Sequence, residues 1–151
     1  MPDQPPGTGG APARLRVHIE GVRGTQGRLL VFLHDNAGDY HADDDTTVPD
    51  FHAFRYQRVD PVVPRTTVVF EDVPAGRYAV SAYHDEDGDG RLDRMWFPFP
   101  LMPSEPYAIA NGAFAPVSKP AFTRALIDVE PPSTDTTLSL STHLEKLLGG
   151  P

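Results

Sequence analysis

The sequence predicts an all-β fold, a single antiparallel β-sandwich of about seven short strands, and three observations carry that expectation. Apolar and polar residues alternate with the period of a half-buried strand, as in Leu15, Val17 and Ile19 set between Arg14, Arg16, His18 and Glu20. Turn formers are frequent, with 17 Pro and 13 Gly in 151 residues, which suits many short elements joined by tight connections. No segment sustains the helical period over the ~11–18 residues that an amphipathic helix needs.

Each element follows in chain order. Residues 1–13, rich in Pro, Gly, Thr and Ala, read as a flexible leader. The first strand is centred on Leu15–Ile19. A turn region from Gly21 to Gly27 leads to Leu29-Leu30-Val31-Phe32-Leu33, which is apolar on both faces and so predicts a central strand. His34 to His52 is an acidic connection with six Asp, three His and no Lys or Arg. Phe51-His52-Ala53-Phe54-Arg55-Tyr56 is an irregular edge-strand candidate, cut off by Pro61 and Pro64. Thr67–Phe70 and Arg77–Tyr83 flank the turn Val73-Pro74-Ala75-Gly76, where Pro fixes φ and Gly is expected to accept a positive φ. Residues 94–120 hold six prolines and no clean period, which predicts a long surface excursion. Two last strands are expected over Phe122–Val129 and Thr137–Leu140. Residues 14–142 thus form one domain, and the tail 143–151 has room for one helical turn at Leu144–Leu148.

Composition narrows the function classes. A formal net charge of −8, with 13 scattered Lys and Arg, argues against binding a nucleic-acid backbone, which needs clustered cations. The chain has no Cys, which excludes a disulfide framework, a thiolate nucleophile and a zinc–thiolate site. No apolar run approaches the ~20 residues of a membrane-spanning helix. The opening Met1-Pro2-Asp3-Gln4-Pro5-Pro6-Gly7 lacks a basic or apolar leader, so export is expected only with a leader already removed.

The most informative motif is Asp85-Glu86-Asp87-Gly88-Asp89-Gly90-Arg91-Leu92-Asp93. Calcium takes about six to eight oxygen ligands from a loop that wraps around it. Asp85, Asp87 and Asp89 alternate, so their carboxylates can converge while the backbone curls. Gly90 is sixth, where a sharp turn leaves no room for a Cβ. Arg91, seventh, would supply its backbone carbonyl; Leu92 would anchor the loop in the core, and Asp93 would bind directly or through water. Position twelve is Trp96 rather than the bidentate Glu of an EF-hand, so the remaining ligands must come from water, a carbonyl or a distant carboxylate such as Glu105. The expected cofactor is a structural, weakly held Ca2+, with Kd on the order of 10⁻⁴–10⁻³ M. Simple turn chemistry accounts for the Asp-Gly pairs, but not for four carboxylates at positions 1, 3, 5 and 9.

Three further features bear on function. His34, Asp35, His41, Asp43, Asp44, Asp45, Asp50 and His52 are chemically able to form a second metal site, although their spacing matches no ligand pattern. The loops after His34 and His84 share one end of the molecule if residues 53–58 are not a strand, and opposite ends if they are. Trp96, Phe97 and Phe99 either cover an open end of the core or form a patch for a protein or glycan partner. An enzyme would rest on His84 as base with Asp85 or Glu105 as acid. Neighbouring residues on a strand point to opposite faces, and no nucleophile elbow or phosphate loop is present, so no catalysis is expected.

Val73-Pro74-Ala75-Gly76-Arg77-Tyr78-Ala79-Val80, His84 to Asp93, and Pro120-Ala121-Phe122 together resemble the DUF2141 proteins, a bacterial family of unknown function, over residues 14–141. The family usually shows Asn at some positions occupied here by Asp87 and Asp89, and a Gly where Phe97 precedes Pro98. The resemblance implies an exported sandwich of the immunoglobulin-like or prealbumin-like kind and no assigned activity. The combined expectation is a non-catalytic, calcium-stabilised binding or structural module of the periplasm or cell surface. The alternative is a subunit of a larger extracytoplasmic assembly, packed through the Trp96–Met102 segment.

Overall fold

The computed structural model describes residues 11–43, 51–90, 103–116 and 118–149. Among these residues, eight strands lie in two sheets. The first sheet has the order β4 (Thr66–Val73), β1 (Ala13–Glu20), β8 (Ser133–Ser139). The second has the order β3 (Arg55–Val59), β2 (Arg28–His34), β5 (Gly76–Asp85), β6 (Tyr107–Ile109), with β7 (Leu126–Val129) pairing the other half of β5. The alternation in β1 does what the sequence implies: Leu15, Val17 and Ile19 are fully buried, while Arg14, Arg16, His18 and Glu20 lie on the outer face.

The two sheets share one core. Leu15, Val17, Ile19, Val68, Phe70 and Leu138 from the first meet Leu29, Val31, Leu33, Tyr78, Val80 and Ala82 from the second. Burying each large side chain of this kind contributes about 1.5–3 kcal/mol. The second sheet is covered on its other face as well. Leu30, Phe32, Ala79, Tyr83, Tyr107 and Ile109 pack there against Tyr40, Ala113 and Ala125. This double burial is why β2 reads as a continuous apolar run. It is a central strand, paired to β3 on one side and β5 on the other.

Several expectations change. The first sheet is mixed rather than antiparallel, because β8 runs parallel to β1. Side-chain periodicity carries no information on strand direction. Here the chain leaves β7, crosses between sheets through Glu130–Pro132, and enters alongside β1 with the same sense. The strand expected over Phe122–Val129 divides into a 3-10 turn, Phe122–Ala125, and β7. Asn111 draws the chain in at that point, donating from Nδ2 to the carbonyls of Arg124 (3.1 Å) and Leu126 (2.8 Å). The proline-rich excursion contains β6, a buried three-residue strand pairing Ser81–Tyr83. Three residues after Pro106 are too few to show a period.

The acidic connection holds a short helix, α1 (Ala37–Ala42), capped by the Asn36 side chain on the amide of Asp39 at 2.8 Å. Tyr40 anchors it in the second core and donates its hydroxyl to the Pro120 carbonyl at 3.0 Å. The positive φ near the β4–β5 turn belongs to Asp72 (55°), not Gly76. A register shift opposite Ala13–Leu15 places an extra residue in β4 there, and the bulge puts Asp72 in the left-handed region. A one-turn helix, α2 (His143–Leu147), follows Thr142, which forms a capping box with Glu145.

β2 and β5 pair antiparallel with Arg28 opposite Asp85 and His34 opposite Ala79. Since β3 does form, the loop after His34 and the loop after Asp85 sit at opposite ends.

Candidate metal centre

β5 ends at Asp85, which is 1% exposed. Its backbone carbonyl accepts the amide of Gly88 at 3.2 Å, and its Oδ2 accepts the amide of Gly90 at 2.7 Å. Gly88 (φ 70°) and Gly90 (φ 84°) both occupy the left-handed region, which lets the chain curl around that carboxylate without a Cβ penalty. Asp85 Oδ1 is buried and has no hydrogen-bond partner among the described residues. A buried carboxylate oxygen left bare costs about 1–3 kcal/mol or more, so such an atom calls for a partner.

Two other carboxylates turn toward the same point. Asp87 is exposed, and its Oδ1 accepts the amide of Asp89 at 3.2 Å. Glu105 comes from within the proline-rich excursion, just before β6, and is only 4% exposed. Its Oε2 accepts the amide of Glu86 at 2.8 Å, which locks it onto the loop. One oxygen from each of Asp85, Asp87 and Glu105 lies within 4.8 Å of the other two. Calcium–oxygen distances are about 2.3–2.6 Å, so oxygens across one ion stand about 4.6–5.2 Å apart and all three can reach a single cation.

The electrostatics match the geometry. The Asp85 carboxyl is pushed up to about 6, first by burial and then by the neighbouring carboxylates of Asp87 and Asp89; the Gly90 amide opposes the shift. Without a cation Asp85 therefore takes up a proton more readily than an ordinary aspartate does. A divalent ion would replace that proton and neutralise the repulsion, the same inversion that bound cations impose elsewhere.

The expected ligands divide as follows. Asp85 and Asp87 converge, and Glu105 supplies the distant carboxylate. Asp89 is exposed and acts on Asp85, but lies outside the three-oxygen set. Arg91, Leu92 and Asp93 fall outside the described residues, as do Trp96, Phe97 and Phe99. His84 is buried, at 1% exposure, and donates its Nε2 hydrogen to the Gln26 carbonyl at 2.7 Å, while its amide bonds the Pro106 carbonyl at 2.9 Å. It braces the strand end on both sides. Sequence reasoning missed Gly27, whose backbone lies against Asp85 and Glu86. Nothing in the sequence sets it apart from Gly21 or Gly24.

At the opposite end, His34, Asp43 and His52 come together. Asp43 Oδ2 is 2.6 Å from His34 Nε2, and Oδ1 is 3.0 Å from His52 Nδ1 and accepts the His52 amide at 2.6 Å. Burial lowers the His34 pKa, against the pull of Asp43. Burial pushes the Asp43 carboxyl up, but hydrogen bonds from His34 and His52 outweigh it and hold the group below the usual range. Asp43 uses both oxygens in these bonds, so the trio is a clasp joining the end of β2 to the chain on either side of residues 44–50. Among the described residues, the metal-competent set is Asp85, Asp87 and Glu105.

No curated protein and no solved structure matches the chain significantly. A family model described as an uncharacterized protein conserved in bacteria, DUF2141, matches residues 17–137, from the middle of β1 to within β8, and spans both the loop after Asp85 and Glu105. The chain belongs to the DUF2141 family.

Proposed function

We propose that this protein is a non-catalytic, calcium-stabilised binding or structural module of the periplasm or cell surface. One observation carries the reading: Asp85 Oδ1 is buried, without a hydrogen-bond partner among the described residues, at a point where Asp87 and Glu105 also converge. Carboxylate oxygens are hard donors, suited to calcium rather than to thiophilic metals. Three protein carboxylates with further positions open to carbonyls or water give a weak site, with Kd on the order of 10⁻⁴–10⁻³ M. Such a site fills where calcium is abundant, which favours an extracytoplasmic setting. Two sheets around one core support a sandwich of the immunoglobulin-like or prealbumin-like kind.

His84 supports the non-catalytic part of the reading. Its Nε2 hydrogen is committed to a backbone carbonyl, and Asp85 lies on the opposite face of the strand, so the two do not act as an acid–base pair.

Calcium titration against thermal unfolding tests the proposal. At free calcium about ten times Kd, the folded state gains about 1.4 kcal/mol, or about 3–6 °C for a domain of this size. Asp87→Ala combined with Asp89→Ala should abolish the gain. No calcium-dependent shift in the wild type would overturn the reading.

A further inference from the structure

We infer that the turn between β1 and β2 is the positioning frame of the metal centre, with Gly27 as its closest contact. This rests on the calcium reading above. Two consecutive residues of the turn grip two consecutive residues of the strand end. Gln26 accepts the Nε2 hydrogen of His84 at 2.7 Å. Gly27, at φ 68°, lies so close to the next residue that a Cβ would fall on the Asp85 carbonyl oxygen. It would also stand 2.9 Å from the carbonyl carbons of Asp85 and Glu86. Those atoms are backbone and cannot rotate aside, so any side chain at position 27 displaces the turn or the loop.

The displacement would act on the donor set directly. Asp85 carries the bare Oδ1, and Glu86 carries the amide that holds Glu105. Moving the backbone of these two residues therefore shifts two of the three carboxylates together. At Gly24, in the same turn, a Cβ would meet nothing within 4 Å among the described residues, so this position serves as a built-in control. The frame aims the ligands without contacting the ion, as outer-shell partners do at other metal sites.

The test compares calcium affinity by calorimetry with the number of coordinated waters, read from terbium(III) luminescence lifetimes in H2O and D2O. Gly27→Ala should weaken calcium binding about 10–100-fold and admit additional water to the bound ion. Gly27→Asn should behave alike, because Asn tolerates the left-handed region but still brings a Cβ. Gly24→Ala should leave both readouts unchanged. His84→Leu removes the other grip and should weaken binding, while His84→Gln, which keeps a donor for Gln26, should restore it; this pair decides the matter should the position-27 variants fail to fold. Wild-type binding with unchanged affinity and water count in Gly27→Ala, or in His84→Leu where the position-27 variants do not fold, would refute the frame and leave the calcium reading standing. A wild type that binds neither calcium nor terbium would overturn both.

Discussion

The carboxylates of Asp85 and Glu105 meet at one point although residues 86–104 separate them in sequence. Both are nearly inaccessible to solvent. They reach each other because Asp85 closes β5 while Glu105 stands just before β6, and these two strands pair through Ser81–Tyr83 and Tyr107–Ile109. The candidate metal centre is thus a product of strand pairing as much as of loop sequence.

Glu105→Gln tests that relationship. The amide oxygen can still accept the Glu86 amide, so the backbone contact survives while one negative charge is lost. The calcium-induced rise in melting temperature should fall by at least half, with the metal-free melting temperature equal or higher. Scanning fluorimetry with and without a chelator reads both numbers. A full calcium response in the variant would remove Glu105 from the ligand set.

Asp85→Asn should separate folding from metal binding. The ordinary carboxyl value of 3.8 is raised to about 6 at Asp85, so ionising this group costs more in the fold than in the unfolded chain. Replacing it with a neutral isostere should stabilise the metal-free protein at pH 7.5 by on the order of 1–3 kcal/mol and eliminate calcium binding. Urea unfolding at that pH, with and without calcium, measures both effects. Equal calcium responses in variant and wild type would count against Asp85 as a ligand.

His34 should give the fold an acid-side weakness. Its pKa is lowered below 6.5 chiefly by burial, so the unfolded chain binds the proton more readily. Stability on this account is complete above pH 6.5 and falls as pH drops through 6.5 toward the lower folded value. His34→Gln keeps a donor for Asp43 and removes the titration, so its stability should vary less with pH between about 6.5 and 5. Parallel pH slopes in variant and wild type would show that other groups control this range.

Arg55 and Gln57 protect a sheet edge. From β3 they donate to the outer carbonyls of β4, Arg55 to Glu71 at 2.7 Å and Gln57 to Val69 at 2.6 Å. Exposed edge carbonyls and amides are templates for pairing with another chain. Arg55→Ala with Gln57→Ala should cost about 1–3 kcal/mol for two lost bonds and increase self-association. Light scattering over a concentration series, beside urea unfolding, would detect both; an unchanged size distribution would mean the edge is guarded by other means.

Much of the fold was legible in local pattern. The alternation around Leu15–Ile19 and the unbroken apolar run at Leu29–Leu33 correctly give a strand with one wet face and a strand buried on both. The loop after β5 was legible too, because Asp at alternate positions followed by Gly is a local signal. Helix α1 was not: six residues held by Asn36 and by the burial of Tyr40 are too short for a period to emerge.

The sequence by itself determined the strand-rich class, the absence of cysteine chemistry and the acidic curl from Asp85 to Gly90, since each depends on residues near one another in the chain. Tertiary structure decided the rest. The parallel entry of β8, the pairing that delivers Glu105, the clasp of His34, Asp43 and His52, and the close approach of Gly27 to Asp85 all depend on which distant segments lie side by side. Side-chain period specifies which face of a strand is buried, but not its neighbour or its direction, so contacts between separate strands emerge only when the core closes.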